Sequence, residues 1–217
     1  MLMPWFHPLG ITLVVRPILF LFTRYKVEGK DNIPKQGPLI IVSNHLSMTD
    51  PPVLSASIPR SIVFMTKEEL FSDPILGPFT RAWHAFPVRR GHLDREALRQ
   101  ADQVLRDGLV LGIFPEAMRS PTGKMQQGYT GAALIALRNK SPILPVGIKG
   151  ADKMNKLSFI FRRPELIVNI GKPFTLPHSG GRLTKEQLAP ATDIIMRKIA
   201  ELLPESYRGY YADRESR

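Results

Sequence analysis

Short β-branched runs alternate with amphipathic stretches along most of this 217-residue chain, and that alternation constrains the fold more than any other feature. Pro38–Ser43, Ser61–Thr66, Leu109–Phe114, Ile143–Ile148 and Leu166–Ile170 are apolar over consecutive positions. That pattern marks strands buried on both faces. Tyr25–Gly29 reads as a strand running into a turn, and Ala85–Arg89 as a further strand. Between them, Asp94–Asp107 carries Ala97, Leu98, Ala101, Val104 and Leu105 at helical spacing, with Asp94 as N-cap and Gly108 as the stop. Asp50-Pro51-Pro52 opens a short helix, since proline is tolerated in a first turn. Tyr129–Asn139 and Thr184–Leu203 complete the helices. Strands alternating with helices predict an α/β fold: one domain, its sheet mostly parallel and covered by helices. The expected loops are 30–37, 120–128, 150–156 and 173–182. The chain divides into an N-terminal segment 1–24, a globular domain 25–206 and a tail 207–217. The tail has little apolar content and is expected to be loose.

Charge and cysteine usage narrow the class of function. The chain holds 30 Lys+Arg against 19 Asp+Glu, a formal +11, and no cysteine. A Cys nucleophile, thiolate metal sites and disulfides are thereby excluded. The positive excess predicts an anionic partner: a phosphate-bearing substrate, an anionic lipid or a nucleic acid.

The first 24 residues favour lipid. Met1–Thr23 has Arg16 as its single formal charge. The uncharged run Met1–Val15 is shorter than the ~20 residues that span a bilayer, and Pro4, Pro8 and Pro17 interrupt the segment. Placed on a helix from Pro8 to Tyr25, Thr12, Arg16 and Thr23 fall within about 40° of one another, and apolar residues fill the rest. This pattern predicts an amphipathic helix lying in the membrane interface, with Trp5 and Phe6 at its start. A buried core helix and a spanning anchor are the alternatives.

Residues able to carry chemistry cluster after strands. Asn44-His45 follows the strand ending at Ser43, and Asp50 stands five positions beyond His45. A carboxylate on one imidazole nitrogen fixes the tautomer and leaves the other nitrogen basic. Such a pair can take the proton of an alcohol as it attacks a carbonyl. The competing reading is structural, with Asp50 capping the helix start and His45 merely closing a strand. The segment Phe114-Pro115-Glu116-Ala117-Met118-Arg119-Ser120 follows another strand. Arg119 can present its fork to a phosphate while Glu116 binds a hydroxyl or orients the Arg; a weak surface pair is the plain alternative. Arg89 and Arg90 point to opposite faces of their strand, and Lys67 is another cation at a strand end. Ligands bind α/β sheets at such ends.

Taken in order, these segments resemble the motifs of the glycerolipid acyltransferase family, of the PlsC-like 1-acylglycerol-3-phosphate acyltransferase type. Asn44-His45 with Asp50 looks like the NHxxxxD motif. Ala85–Gly91 looks like the apolar strand ending in Arg, Phe114–Ser120 like FPEGTRS, and Ile143–Gly147 like the apolar-Pro-Val strand. The lead-in residues Val27-Glu28-Gly29 and Asn32-Ile33-Pro34 also fit. The resemblance spans Tyr25 to about Phe174. It departs at Ala117-Met118, where the family has Gly-Thr, and at Arg89, where an acid is often found.

The resemblance implies an acyltransferase in which His45 is the general base and Asp50 orients it. A lysophospholipid hydroxyl, foremost that of 1-acylglycerol-3-phosphate, would take an acyl group from acyl-CoA or acyl-carrier protein to give phosphatidic acid. Arg90, Arg119 and Lys67 would hold the acceptor phosphate with Glu116 assisting, while Asn44, Arg89 and Pro145 support the motifs. Oxyanion donors would come from the start of the helix at Asp50 or from the fourth motif. No metal and no cofactor are expected beyond the acyl donor. Domain 25–206 would be catalytic, and the protein would sit peripherally or monotopically on the cytoplasmic face of the membrane. The residues leave room for another glycerolipid acceptor, for a thioester or lysophospholipid hydrolase, and for a non-catalytic basic protein binding lipid or nucleic acid. No recognised nucleic-acid module is seen.

Overall fold

The computed structural model describes residues 11–74, 76–82, 85–89, 94–155, 158–177 and 184–212. The apolar runs form seven strands: β1 (Arg24–Glu28), β2 (Leu39–Ser43), β3 (Ile62–Lys67), β4 (Phe86–Val88), β5 (Val110–Ile113), β6 (Ile143–Lys149) and β7 (Glu165–Ile170). They join into one sheet in the order β1-β7-β6-β2-β5-β3-β4. Five neighbouring pairs are parallel, and β7 runs antiparallel to β6. β2 lies at the centre, and each of its residues is buried. Its pleat sends Leu39 and Ile41 to one core and Ile40 and Val42 to the other, which is why an unbroken apolar run is required there.

Helices close both faces. We number them α1 (Arg16–Phe22), α2 (Asp50–Ser57), α3 (Leu76–Ala82), α4 (Arg95–Arg106), α5 (Gly131–Asn139), α6 (Phe159–Arg162), α7 (Lys185–Ala200) and α8 (Glu205–Arg208). α4, α5 and α7 pack into the core behind Ile40 and Val42; α1 and α2 pack into the other. Asp94 caps α4 as expected, accepting from the N–H groups of Glu96 and Ala97, and Gly108 has φ +71 beyond its end. Pro145 is tolerated inside the sheet for a local reason. It precedes the first β6–β7 pair, Val146 with Ile170, so its missing N–H breaks no ladder bond.

Three expectations change. First, α3, α6 and α8 carry no assignment from sequence, because each is too short to show a helical period. Second, the tail is not loose from Tyr207 onward. The Tyr207 carbonyl accepts from the Met125 N–H at 2.8 Å, Tyr210 N–H donates to the Met125 carbonyl at 3.0 Å, and Tyr211 is buried with its hydroxyl accepting from Gly128 N–H. Three tyrosines anchor what a count of aliphatic residues passes over; residues 213–217 lie outside the described set.

Third, the polar stripe of the N-terminal helix does not lie wholly at the surface. A π-helical turn, Ile11–Val15, leads into α1, and residues 1–10, including Trp5 and Phe6, lie outside the described residues, as does the side chain of Thr12. Of the polar stripe, Thr23 is buried with its hydroxyl donating to the Leu19 carbonyl. Arg16 Nε donates to the Ala56 carbonyl of α2 at 2.8 Å. Arg16 therefore ties the helix to the domain while its side chain stays exposed. Thr23 is thus satisfied within its own helix and Arg16 by the domain, while Leu13, Val14, Phe20 and Leu21 face outward. Among the described residues no helix is long and apolar enough to cross a membrane.

Candidate active site

β2 delivers Asn44 and His45 to the carboxyl end of the sheet. The Asn44 side chain substitutes for one more residue of strand: its Nδ2 donates to the Ile148 carbonyl and its Oδ1 accepts from the Ile148 N–H, both at 2.8 Å. The amide thus prolongs the β2–β6 ladder by one pair while the main chain turns away. His45 is held where the chain leaves the sheet.

His45 Nδ1 lies 2.7 Å from Asp50 Oδ2. The same oxygen accepts from Leu46 N–H at 2.6 Å and Ser47 N–H at 2.8 Å. The two readings of Asp50 are therefore not exclusive, because one oxygen both closes the loop and pairs the histidine. With its Nδ1 proton given to a carboxylate, His45 keeps a basic Nε2. Its ring stacks on Phe114, centroids 4.2 Å apart and planes 20° apart. This platform comes from β5 and fixes the ring from the side that Asp50 does not touch.

Glu116 does something other than bind phosphate. It is buried, its Oε1 accepts the backbone N–H of His45 at 3.1 Å, and its Oε2 accepts the backbone N–H of Gln126 at 2.9 Å. Ser120 N–H donates to the His45 carbonyl at 2.8 Å. The third-motif loop thus grips both main-chain polar groups of the histidine. Burial pushes the Glu116 carboxyl up to about 7, with the Gln126 and His45 N–H groups opposing and the Asp50 charge adding to it. The expected phosphate role is corrected on this ground: both carboxylate oxygens are already used inside the protein.

Next to it, Ala117 has φ +58, a left-handed conformation that glycine adopts without penalty and that costs other residues on the order of 1–3 kcal/mol. This is the position where the resembled motif has Gly. Ala117→Gly is expected to stabilise the fold by about 1 kcal/mol, a rise in thermal midpoint of roughly 2–4 °C. Differential scanning calorimetry checks it.

The cations fall into three situations. Arg119 is exposed and has no hydrogen-bond or ion-pair partner among the described residues. Lys67 closes β3, with Nζ 3.0 Å from Glu69. Arg89 is drawn away, its Nε 2.8 Å from Glu68, whose hydrogen bond and then its charge raise the Arg89 pKa. Arg90 lies outside the described residues. Met118 is exposed beside Arg119.

At the start of α2 several main-chain N–H groups that could serve as oxyanion donors are already engaged. Asp50 N–H donates to the Ser47 carbonyl, prolines occupy 51 and 52, and Val53 N–H donates to the Thr49 carbonyl. Just beyond the fourth motif, Ile148 N–H is spent on Asn44.

A cavity of about 490 Å³ opens beside His45, walled by Met48, Phe64, Val88, Ile113 and Ile135, with Lys67 among its few polar residues. Sequence reasoning missed this cavity, the Phe114 platform, the Gln126 contact and a clasp in which Ser47 Oγ donates to Asn155 Oδ1 at 2.5 Å. All are loop-to-loop or face-to-face contacts, for which local periodicity carries no signal.

Known proteins agree with this arrangement. A family model described as Acyltransferase matches residues 24–149, more than half of the chain. The chain is 30% identical over 189 residues to the 1-acyl-sn-glycerol-3-phosphate acyltransferase of Bacillus subtilis (strain 168), covering 87% of this chain and 92% of that protein. It is 28% identical over 194 residues to the protein of the same name from Pseudomonas aeruginosa, covering 85% and 72%. The crystal structure of the 1-acyl-sn-glycerophosphate acyltransferase PlsC from Thermotoga maritima superposes with a TM-score of 0.68 at 27% identity, over 90% of this chain and 79% of that one. The α/β domain is thus shared over nearly the whole length, and the chain belongs to the Acyltransferase family.

Proposed function

We propose that the protein transfers an acyl group from acyl-CoA or acyl-carrier protein to the hydroxyl of a lysophospholipid, foremost 1-acylglycerol-3-phosphate, giving phosphatidic acid. The observation that carries this is His45, paired with Asp50 through Nδ1 and lining an apolar cavity; the names of the relatives support the acceptor. His45 Nε2 takes the proton of the acceptor hydroxyl as its oxygen attacks the thioester carbonyl. A tetrahedral oxyanion forms, collapses and breaks the C–S bond. The thiolate leaves with the proton held by His45, so the ester and a free thiol are the products. The cavity takes an acyl chain, whose burial positions the reacting carbonyl.

Arg119, with Arg90 and Lys67, holds the acceptor's phosphate in this reading. Arg119→Ala is expected to raise KM for the phosphorylated acceptor by about 10–100-fold, the worth of one charge-assisted hydrogen bond, with a smaller change in kcat. Initial rates against acceptor concentration measure it. Met118, where the family motif has Thr, adds bulk next to Arg119 and favours a second reading in which another lysolipid is the preferred acceptor. Purified protein with each donor and a panel of lysophosphatidate, glycerol-3-phosphate and lysophosphatidylcholine tests both, reading free thiol and lipid product together. Thiol release without esterified product would defeat transfer in favour of hydrolysis.

We further propose peripheral docking on the cytoplasmic membrane face through the outward apolar side of α1. Leu13, Val14, Phe20 and Leu21 are suited to a headgroup–acyl boundary.

A further inference from the structure

One exposed aromatic belongs neither to the candidate active site nor to α1 itself. Phe161 is 90% exposed on α6, a single turn placed just before β7. A lone exposed apolar residue means little, but three observations give this one a context.

The first is position. Phe159 of the same turn packs into the core shared with α1 and α2. Arg163, in a left-handed conformation at φ +42, stops the turn, and Arg24 N–H donates to the Pro164 carbonyl at 2.9 Å. Arg163 also reaches the Phe20 carbonyl of α1 at 3.4 Å. Phe161 is thereby fixed next to the outward face of α1, whose Phe20 is 76% exposed. The second is charge. Arg162 and Arg163 are exposed and follow Phe161 directly, so an apolar tip is backed by two cations. Anionic phospholipid offers the complement to both.

The third is topology. Because β7 is antiparallel to β6, it starts at the end of the sheet where β6 finishes. β6 runs parallel to β2, so this is also the end where His45 emerges. β1 runs parallel to β7, Arg24 beside Glu165, and it too starts there, directly after α1. The reversed pair β1 and β7 places α1, α6 and His45 at the same end.

We propose that α6 is a second bilayer contact: Phe161 inserts among the acyl chains of an anionic phospholipid membrane, while Arg162 and Arg163 meet its headgroup phosphates. Two separated contacts define a plane, whereas α1 alone would leave the domain free to roll about the helix axis. The plane so defined turns the His45 end towards the lipid, from which both acceptor and acyl chain come. This inference rests on docking through α1.

The test uses the full chain and sedimentation with vesicles of phosphatidylcholine, with and without phosphatidylglycerol. Phe161→Ser is expected to weaken binding to anionic vesicles about tenfold or more, the effect of withdrawing one aromatic side chain from an apolar phase. Its thermal midpoint and its turnover of a short-chain, water-soluble acceptor should stay unchanged, since the ring touches neither core nor site. Arg162→Gln is expected to weaken binding only where phosphatidylglycerol is present. Phe161→Trp should gain a blue-shifted emission that brominated lipid quenches. Phe20→Ser is the control for α1. Loss of binding by Phe20→Ser, with Phe161→Ser bound as well as the parent and Phe161→Trp unquenched, overturns the second contact and leaves docking through α1 standing. A parent protein that fails to bind either vesicle overturns both.

Discussion

His45→Ala is expected to lower the rate of acyl transfer by about a thousandfold, in the middle of the range for loss of a general base, while the thermal midpoint falls by only a few degrees. The asymmetry follows from how the residue is held. Its carboxylate partner has two further donors, the Leu46 and Ser47 N–H groups, so Asp50 stays solvated by the loop when the imidazole is gone. The backbone of residue 45 is still gripped by Glu116 and Ser120. The stacking on Phe114 is lost, worth about 1 kcal/mol. Thiol release from acyl-CoA, with a melting curve on the same preparation, gives both numbers. Turnover within tenfold of the parent would remove His45 from the role of base. Asp50→Asn makes the complementary case. It keeps the shape but replaces an anionic acceptor shared by three donors, so rate and stability should fall together.

Glu116 carries the second large effect, and it divides differently between rate and fold. Glu116→Ala removes the acceptor of two backbone N–H groups in a buried site and leaves a cavity; each stranded donor costs about 1–3 kcal/mol. A loss of about 2–4 kcal/mol is expected, with the rate falling because His45 loses its main-chain anchor. Glu116→Gln keeps the volume and one carbonyl acceptor, and should restore much of the stability. Its pH dependence separates positioning from a purely structural role. In the folded protein the carboxyl is pushed from an ordinary 4.5 to about 7 by burial. The folded state therefore binds the proton more tightly than the unfolded chain. Between about pH 4.5 and 7 this group's contribution to stability falls as pH rises, and above 7 it is flat at its lowest value. Glu116→Gln should abolish that slope, seen as the difference in chemical-denaturation midpoints at pH 5 and pH 8. If Glu116 positions His45 through its charged form, the parent's rate should also rise across pH 7 with a component missing from Glu116→Gln.

Much of this site was legible before any coordinates, for a simple reason. His45 and Asp50 are five positions apart in one loop, and Glu116 and Arg119 share another, so their association with strand ends follows from local pattern alone. Their roles were less legible. Glu116 looked like a ligand because a carboxylate after a strand usually faces the cleft; its actual partner is the N–H of a residue 71 positions away. Asn44 contributed only a letter to a motif until Ile148, 104 positions on, appeared beside it. Arg89 read as a motif residue, and a neighbouring helical turn supplied Glu68 to draw it aside.

The sequence by itself determined the longer elements, their alternation, the parallel character of most of the sheet and the order of the motifs. Those depend on periods of two and 3.6 residues and on caps and turns, all of which act over a few positions. Tertiary structure alone decided three things. It tied α1 to the domain, because the Ala56 carbonyl of α2 was there to accept from Arg16. It closed an apolar cavity beside His45 from segments spread between residues 45 and 135. It ran β1 and β7 opposite to the other five strands, and so brought α1 and α6 to the end of the sheet where His45 emerges. Each depends on which strands become neighbours, and strand order is settled by the burial of the whole sheet between its two helical layers, not by any local run of residues.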